Sequence, residues 1–202
     1  MKRNSVLLAL GCALALSGCI SFGAKPPATL MRLTAVESVA ARTSRTAPAS
    51  EAITVVTPTL PQELQTPRVP VRTGETSVAY LKDAQWVEIP GALFGRLLSE
   101  TIAARTGRVV LDPRQFTFDP GIRLTGTLQA FGVQADRMEA VAVYDGLLAR
   151  AGQAVETRRF EARVPIAAVD PSSVAPALNE AANKVAADVA AWVGGGPATP
   201  AR

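Results

Sequence analysis

The stretch Ile122-Arg123-Leu124-Thr125-Gly126-Thr127-Leu128-Gln129-Ala130 sets apolar Ile122, Leu124, Leu128 and Ala130 against polar Arg123, Thr125, Thr127 and Gln129. A period of two sends the two sets to opposite faces of a β-strand, one dry and one wet. Gln153 to Ile166 repeats the pattern, with Phe160, Ala162, Val164 and Ile166 opposed to Arg159, Glu161 and Arg163. Between them, Met138 to Leu148 is apolar on both parities, which suits a central strand. A sheet with one dry face needs a cover, and two helical stripes supply it. Leu93, Leu97, Leu98 and Ile102 follow Pro90 at helical spacing, and Gly107 sits where such a helix stops. Leu178, Ala181, Val185, Val189 and Trp192 line a second helix that starts between Pro171 and Pro176 and runs to Val193. The expected fold is α+β: two layers, a mostly antiparallel sheet, and two amphipathic helices packed on one face.

Outward from this centre the elements shorten. Val109-Val110-Leu111 reads as a buried strand stopped by Asp112-Pro113, and Ile53-Thr54-Val55-Val56 as another. Val69 to Arg72 and Glu75 to Leu81 fit a hairpin around Thr73-Gly74. Pro58, Pro61, Pro67 and Pro70 break regular structure between them. Thr29 to Val36 fits a first strand, and Glu37 to Ser50, rich in Ala, Ser, Thr and Arg, reads as a mobile surface loop.

Composition excludes several chemistries. The 202 residues contain no histidine and two cysteines, so Ser-His-Asp catalysis, Cys-His catalysis and His-ligated metal sites are ruled out. Two cysteines cannot close a four-cysteine zinc or iron–sulfur site from this chain alone. Aromatic residues make up 5%, too few for single-strand nucleic-acid stacking platforms.

The N-terminus has its own logic. Lys2 and Arg3 precede an apolar run from Val6 to Leu16, followed by small residues, which is the order of a secretory signal. Eleven apolar residues in a helix span about 16 Å, too short for a hydrocarbon core of about 30 Å. Leu16-Ser17-Gly18-Cys19 resembles the lipobox of bacterial lipoproteins at all four positions. That resemblance implies cleavage before Cys19, a diacylglycerol on its thiol and an acyl chain on the new amine. Cysteine is needed there because a thiolate is the nucleophile. The expected organisation is a signal peptide over 1–18, a lipidated tether over 19–28, one domain over 29–193 and a Gly/Pro tail over 194–202. Removing 1–18 discards Cys12 and leaves 19 basic against 17 acidic residues, which takes away the electrostatic motive for nucleic-acid binding.

Candidate chemistry within the domain is sparse. Asp112, Asp119 and Asp170 each precede a proline, the signature of turns and helix entry, although two of them could form a general acid–base dyad. Arg158-Arg159 is a candidate anion site or simply a solvated strand face. Tyr80, Trp86 and Trp192 either grip a ligand or pack the core. Gly91 to Gly95 mimics a phosphate loop but lacks the lysine and lies at a helix start. No catalytic, cofactor or metal residue is assigned.

Several of these stretches together resemble the ABC-type transport auxiliary lipoprotein family. They are Tyr80-Leu81-Lys82-Asp83-Ala84-Gln85-Trp86, the Leu-rich helix opened by Pro90, and Leu30-x-x-Leu33. Asp145-Gly146-Leu147-Leu148, Phe160 to Pro165, and Ala177 to Ala182 with Trp192 beyond complete the set. The resemblance spans nearly all of 29–193, with 37–50 longer than usual. It implies partners rather than a reaction: an ABC permease, its ATPase and an MCE-domain protein moving lipophilic molecules across a Gram-negative envelope. Cys19 is the one functional position it carries over, and its covalent lipid replaces any cofactor. Ile20 is not the aspartate associated with inner-membrane retention, so by analogy the expected site of the anchor is the periplasmic face of the outer membrane, with the inner membrane as the alternative. Self-association is left open. The competing readings are a stand-alone lipid-binding or envelope-assembly lipoprotein and a carboxylate-dependent hydrolase.

Overall fold

The computed structural model describes residues 29–113 and 121–195. Nine strands and two helices follow one another among them: β1 Thr29–Met31, β2 Ile53–Val55, β3 Pro70–Arg72, β4 Val78–Tyr80, β5 Ala84–Trp86, α1 Pro90–Thr106, β6 Val110–Leu111, β7 Ile122–Gln134, β8 Glu139–Arg150, β9 Glu156–Pro165 and α2 Pro171–Val193. The class is α+β, and both helices cover the same sheet face. Phe94 of α1 tilts against Tyr144 of β8 with ring centroids 5.5 Å apart, while Trp192 of α2 meets Phe160 of β9 at 5.5 Å.

The sheet is built on β7, β8 and β9, paired antiparallel along almost their full lengths with β8 in the middle. The other side of β7 is shared. β2 runs parallel to its first residues and carries β6, and β3 runs parallel to its last residues and carries β4. The proline-rich connection bridges the gap: the Val56 and Thr59 amides donate to the Leu124 and Gly126 carbonyls, and the Leu128 amide donates to Thr59. Prolines are tolerated there because this segment touches β7 at intervals and needs no continuous row of N–H donors. The sheet is therefore mixed: its long pairings are antiparallel, and most short ones are parallel.

One expectation fails at β7. The register slips between Leu128 and Ala130, so Gln129 is an extra, bulged residue. Beyond it the parity reverses. Ala130 points away from the helices, and Phe131 and Val133 enter the core at 1% and 2% exposure. Phe131 then stacks on Trp86 with centroids 5.0 Å apart and meets Phe94 at 6.5 Å. Full burial of each such ring contributes about 1.5–3 kcal/mol, so the bulge converts a surface aromatic into a centre of the core.

Gly126 belongs to the same region. The Tyr144 ring lies over it and donates its hydroxyl to the Thr125 carbonyl at 2.9 Å, and a Cβ at Gly126 would run into the Asp145 carbonyl. Burial pushes the Tyr144 phenol well above its usual range, so it is a hydrogen-bond donor at any ordinary pH.

α1 opens on Pro90 at its first turn and ends at Gly107, whose φ of 71° is the left-handed cap the sequence predicts. α2 opens on Asp170, whose carboxylate accepts from the Ser173 amide.

The first strand is shorter than predicted. After Met31 the chain runs beside α2, where the Thr34 and Val36 amides each donate at 2.8 Å to the side chains of Asn179 and Asn183. β5 was not anticipated. It pairs parallel with β1 as a separate two-stranded sheet, with Met31, Ala84 and Trp86 facing inward. Residues 37–50 lack regular structure, as expected, but they are tied to α1 rather than loose. Arg105 grips the Glu37 carboxylate with two hydrogen bonds of 2.6 and 3.0 Å, and the Arg45 guanidinium donates to the Ala103 carbonyl.

Candidate functional site

The helices cover one face of the β7–β8–β9 sheet and leave the other open. Cross-strand register fixes what that face displays. Thr125, Leu147 and Thr157 form one row across the three strands, Thr127, Asp145 and Arg159 the next, and Ala130, Val143 and Glu161 the one after. Thr57 and Thr59 approach from the connection after β2, and Thr59 and Thr127 share a hydrogen bond of 2.7 Å between their hydroxyls. The result is an open trough of about 720 Å³ lined by these threonines, Leu147, Asp145 and Arg159. Threonine methyls and Leu147, 37% exposed, make its floor partly apolar.

Ion pairs fix the rim. Arg159 holds Asp145 through two parallel hydrogen bonds of 2.6 and 2.7 Å, and Gln129, the bulged residue, donates to the same carboxylate at 3.1 Å. The Arg159 hydrogen bonds keep the Asp145 carboxyl below its usual range against a smaller opposing effect of burial. Farther along, Arg163 bridges Glu161 at 2.5 Å, Gln134 at 2.6 Å and Glu139 at 3.1 Å. These contacts tie the side chains of β9 down across β8, so the face is a stiff polar frame around an apolar stripe. β9 pairs only with β8 among the described residues, which leaves its outer edge free. Arg159, Glu161, Arg163 and Pro165 guard that edge against indiscriminate strand pairing.

The other predicted candidates disperse. Cys19 and Asp119 lie outside the described residues. Asp170 caps α2, accepting from the Ser172 hydroxyl at 2.6 Å and the Ser173 amide at 2.9 Å. The Ser172 hydroxyl first, then the Ser173 amide, hold its carboxyl below the usual range. Asp112 follows β6 at the opposite margin of the sheet and lines a groove with Glu88 and Arg96, so it and Asp170 form no dyad. Arg158 and Arg159 point to opposite faces; Arg158 lies 5.4 Å from the Trp192 ring, on the helix side. Trp86 and Trp192 are core residues at 1% and 3% exposure, and Tyr80 is stacked under Arg68 at 4.0 Å. Gly91 packs closely on Pro58 and Leu60, where an added Cβ would sit 3.1–3.2 Å from them, a packing role. Among the described residues no group of three or more acidic, cysteine or histidine side chains is placed to hold a metal, and no helix is long and apolar enough to cross a membrane.

Sequence reasoning missed the trough. Thr125 and Thr127 were legible as outward residues, but nothing local indicated that Thr57 and Thr59, some seventy positions earlier, close its side.

Comparison with known proteins agrees with this architecture. The crystal structure of protein XCC0632 from Xanthomonas campestris superposes with a TM-score of 0.69 at 17% identity, covering 82% of this chain and 94% of that one. A crystal structure titled only as an uncharacterized protein gives a TM-score of 0.62 at 16% identity, covering 71% and 92%. At such identities the likeness is one of fold. No curated protein matches the sequence. A family described as the ABC-type transport auxiliary lipoprotein component matches residues 33–190, most of the chain, with every strand from β2 to β9, all of α1 and most of α2. The chain belongs to that family of auxiliary lipoproteins of ABC-type transport.

Proposed function

We propose that this protein is a membrane-anchored docking component of an envelope lipid transport system. In this reading Cys19 carries the diacylglycerol and N-acyl chain, and the anchor lies in the periplasmic leaflet of the outer membrane. The open sheet face receives an MCE-domain protein that works with the system's permease and ATPase, and the domain performs no catalysis of its own. One observation carries the proposal: a rigid sheet face left uncovered by the helices, with an apolar stripe inside a polar, ion-paired rim. That is the anatomy of a protein-binding surface, in which a desolvated centre supplies affinity and a polar rim supplies register.

The test is co-purification from membranes in mild detergent. The wild-type chain recovers an MCE-domain protein, and the double variant Leu147→Arg, Thr157→Arg recovers at least about tenfold less. Both residues are exposed, and the unfolding midpoint of the variant, measured alongside, separates loss of docking from loss of fold. Undiminished recovery, or no MCE-domain protein with the wild type, defeats the proposal. The trough's volume favours one rival, a stand-alone lipid-binding lipoprotein. Near one lipid per purified chain, lost in the same double variant, would support that rival instead.

A further inference from the structure

The two-stranded β1–β5 sheet has one face in the core and one bare. Inward go Met31, Ala84 and Trp86; outward go Leu30, Arg32, Gln85 and Val87. Leu30 is 59% exposed, Val87 46%, and Ile89, two residues on at the entry to α1, 45%. Three large aliphatics in two short neighbouring segments make an unusual stretch for solvent. Two cations flank them: Arg32 and Lys82 are exposed and make no ion pair among the described residues, whereas Glu88 is held by Arg96 at 2.8 and 2.9 Å. Asp83, at the turn into β5 with a φ of 58°, is exposed and makes no ion pair among the described residues.

This patch adjoins Thr29. Only the nine residues Ile20 to Ala28 separate Thr29 from Cys19, and fully extended they reach about 30 Å. Lys25 within them adds a further positive charge. A short tether holds the patch beside the leaflet at high effective concentration, so aliphatic contacts too weak to bind a membrane alone suffice once the anchor is in place. Exposed aliphatics with adjacent cations are complementary to an anionic lipid surface.

We infer that the outward face of the β1–β5 sheet, with Leu30, Val87 and Ile89 at its centre, rests on the leaflet that holds the anchor. The inference depends on the anchored reading proposed above. It also orients the molecule. Phe131 stacks on Trp86 at the membrane end, whereas Ile122 lies nine positions, about 30 Å, back along β7. The trough rows of Thr125 and Thr127 lie six and four positions back from Phe131, about 20 and about 13 Å along the strand, which sets the docking face apart from the bare sheet.

The experiment uses the full chain, expressed with its own leader and reconstituted in vesicles of phosphatidylethanolamine and phosphatidylglycerol. Leu30→Cys, Val87→Cys and Ile89→Cys are each labelled with a nitroxide, with Val155→Cys as control in the β8–β9 connection at the far end. The expected result is an oxygen-to-nickel-chelate collision ratio several-fold higher at 30, 87 and 89 than at 155. Ratios equal to the control overturn the inference, and so does shielding from both reagents, which would assign the face to a second copy of the chain. Mass spectrometry of the same samples separates the two readings. Acylated Cys19 with aqueous labels leaves the anchor standing and removes the orientation; unmodified Cys19 removes both.

Discussion

Asp145 shows how one side chain serves both the frame and the trough. Its carboxylate takes two hydrogen bonds from Arg159 and one from Gln129, so β7, β8 and β9 are joined at one point on the open face. Its folded pKa lies below the unfolded value of about 3.9, with the Arg159 hydrogen bonds as the main cause. A depressed carboxylate contributes stability above its unfolded pKa and loses it as pH falls through the folded one. Asp145→Asn should therefore lower the unfolding free energy at neutral pH, and the gap to wild type should close below about pH 4. Urea unfolding at several pH values checks this. The effect will be small because both partners touch solvent, Asp145 at 33% and Arg159 at 65%. A gap of constant size across pH would mean that packing, and not charge, makes Asp145 matter.

At the scale of elements, the bulge in β7 decides which aromatic enters the core. Gln129 is surplus to the β7–β8 register: Leu128 pairs with Tyr144 and Ala130 with Val143, its immediate neighbour. Deleting Gln129 should thus leave a regular strand with Phe131 still inward, and the protein should fold, losing the Gln129 contact to Asp145 and some local twist. Deleting Thr127 instead moves Leu128, now 0% exposed, to the open face and should cost about 2–5 kcal/mol, the range for losing a buried leucine. Circular dichroism with denaturant titration separates the two deletions; equal damage from both would show that the bulge geometry itself is required. The same feature marks the limit of sequence reading. Strong periodicity placed both helices, the long strands and the sign of each face before Gln129, because alternation over many residues has few structural solutions. A bulge leaves no mark except a parity change, which a run apolar on both parities conceals. The pairing of β1 with β5 was illegible for a different reason: three-residue strands carry too little pattern, and their partner lies more than fifty positions away. The site suffered most, since the trough is closed by a segment whose prolines argue against any strand at all.

At the scale of the whole molecule, the segment that follows β1 is clasped to α2. The Thr34 amide donates to Asn179, the Val36 amide to Asn183, and the Asn183 amide group returns bonds to the Thr34 and Asn179 carbonyls at 2.9 and 2.8 Å. Farther on, Glu37 is gripped by Arg105 of α1. Force applied at an anchor would enter the fold along this line, from β1 into α2 and then into the β8–β9 side of the sheet. The asparagines face outward from the helix, so their removal leaves the core untouched and releases the clasp alone. Asn179→Ala with Asn183→Ala should weaken the clasp by about 2 kcal/mol, at about 1 kcal/mol net for each of the two backbone-amide hydrogen bonds lost. Exchange at the Thr34 and Val36 amides should quicken well beyond that of the β8 amides, which follow global unfolding, and trypsin should cleave after Arg32. If exchange at β8 rises in step with Thr34, the segment is no separable clasp, and unfolds only with the domain as a whole.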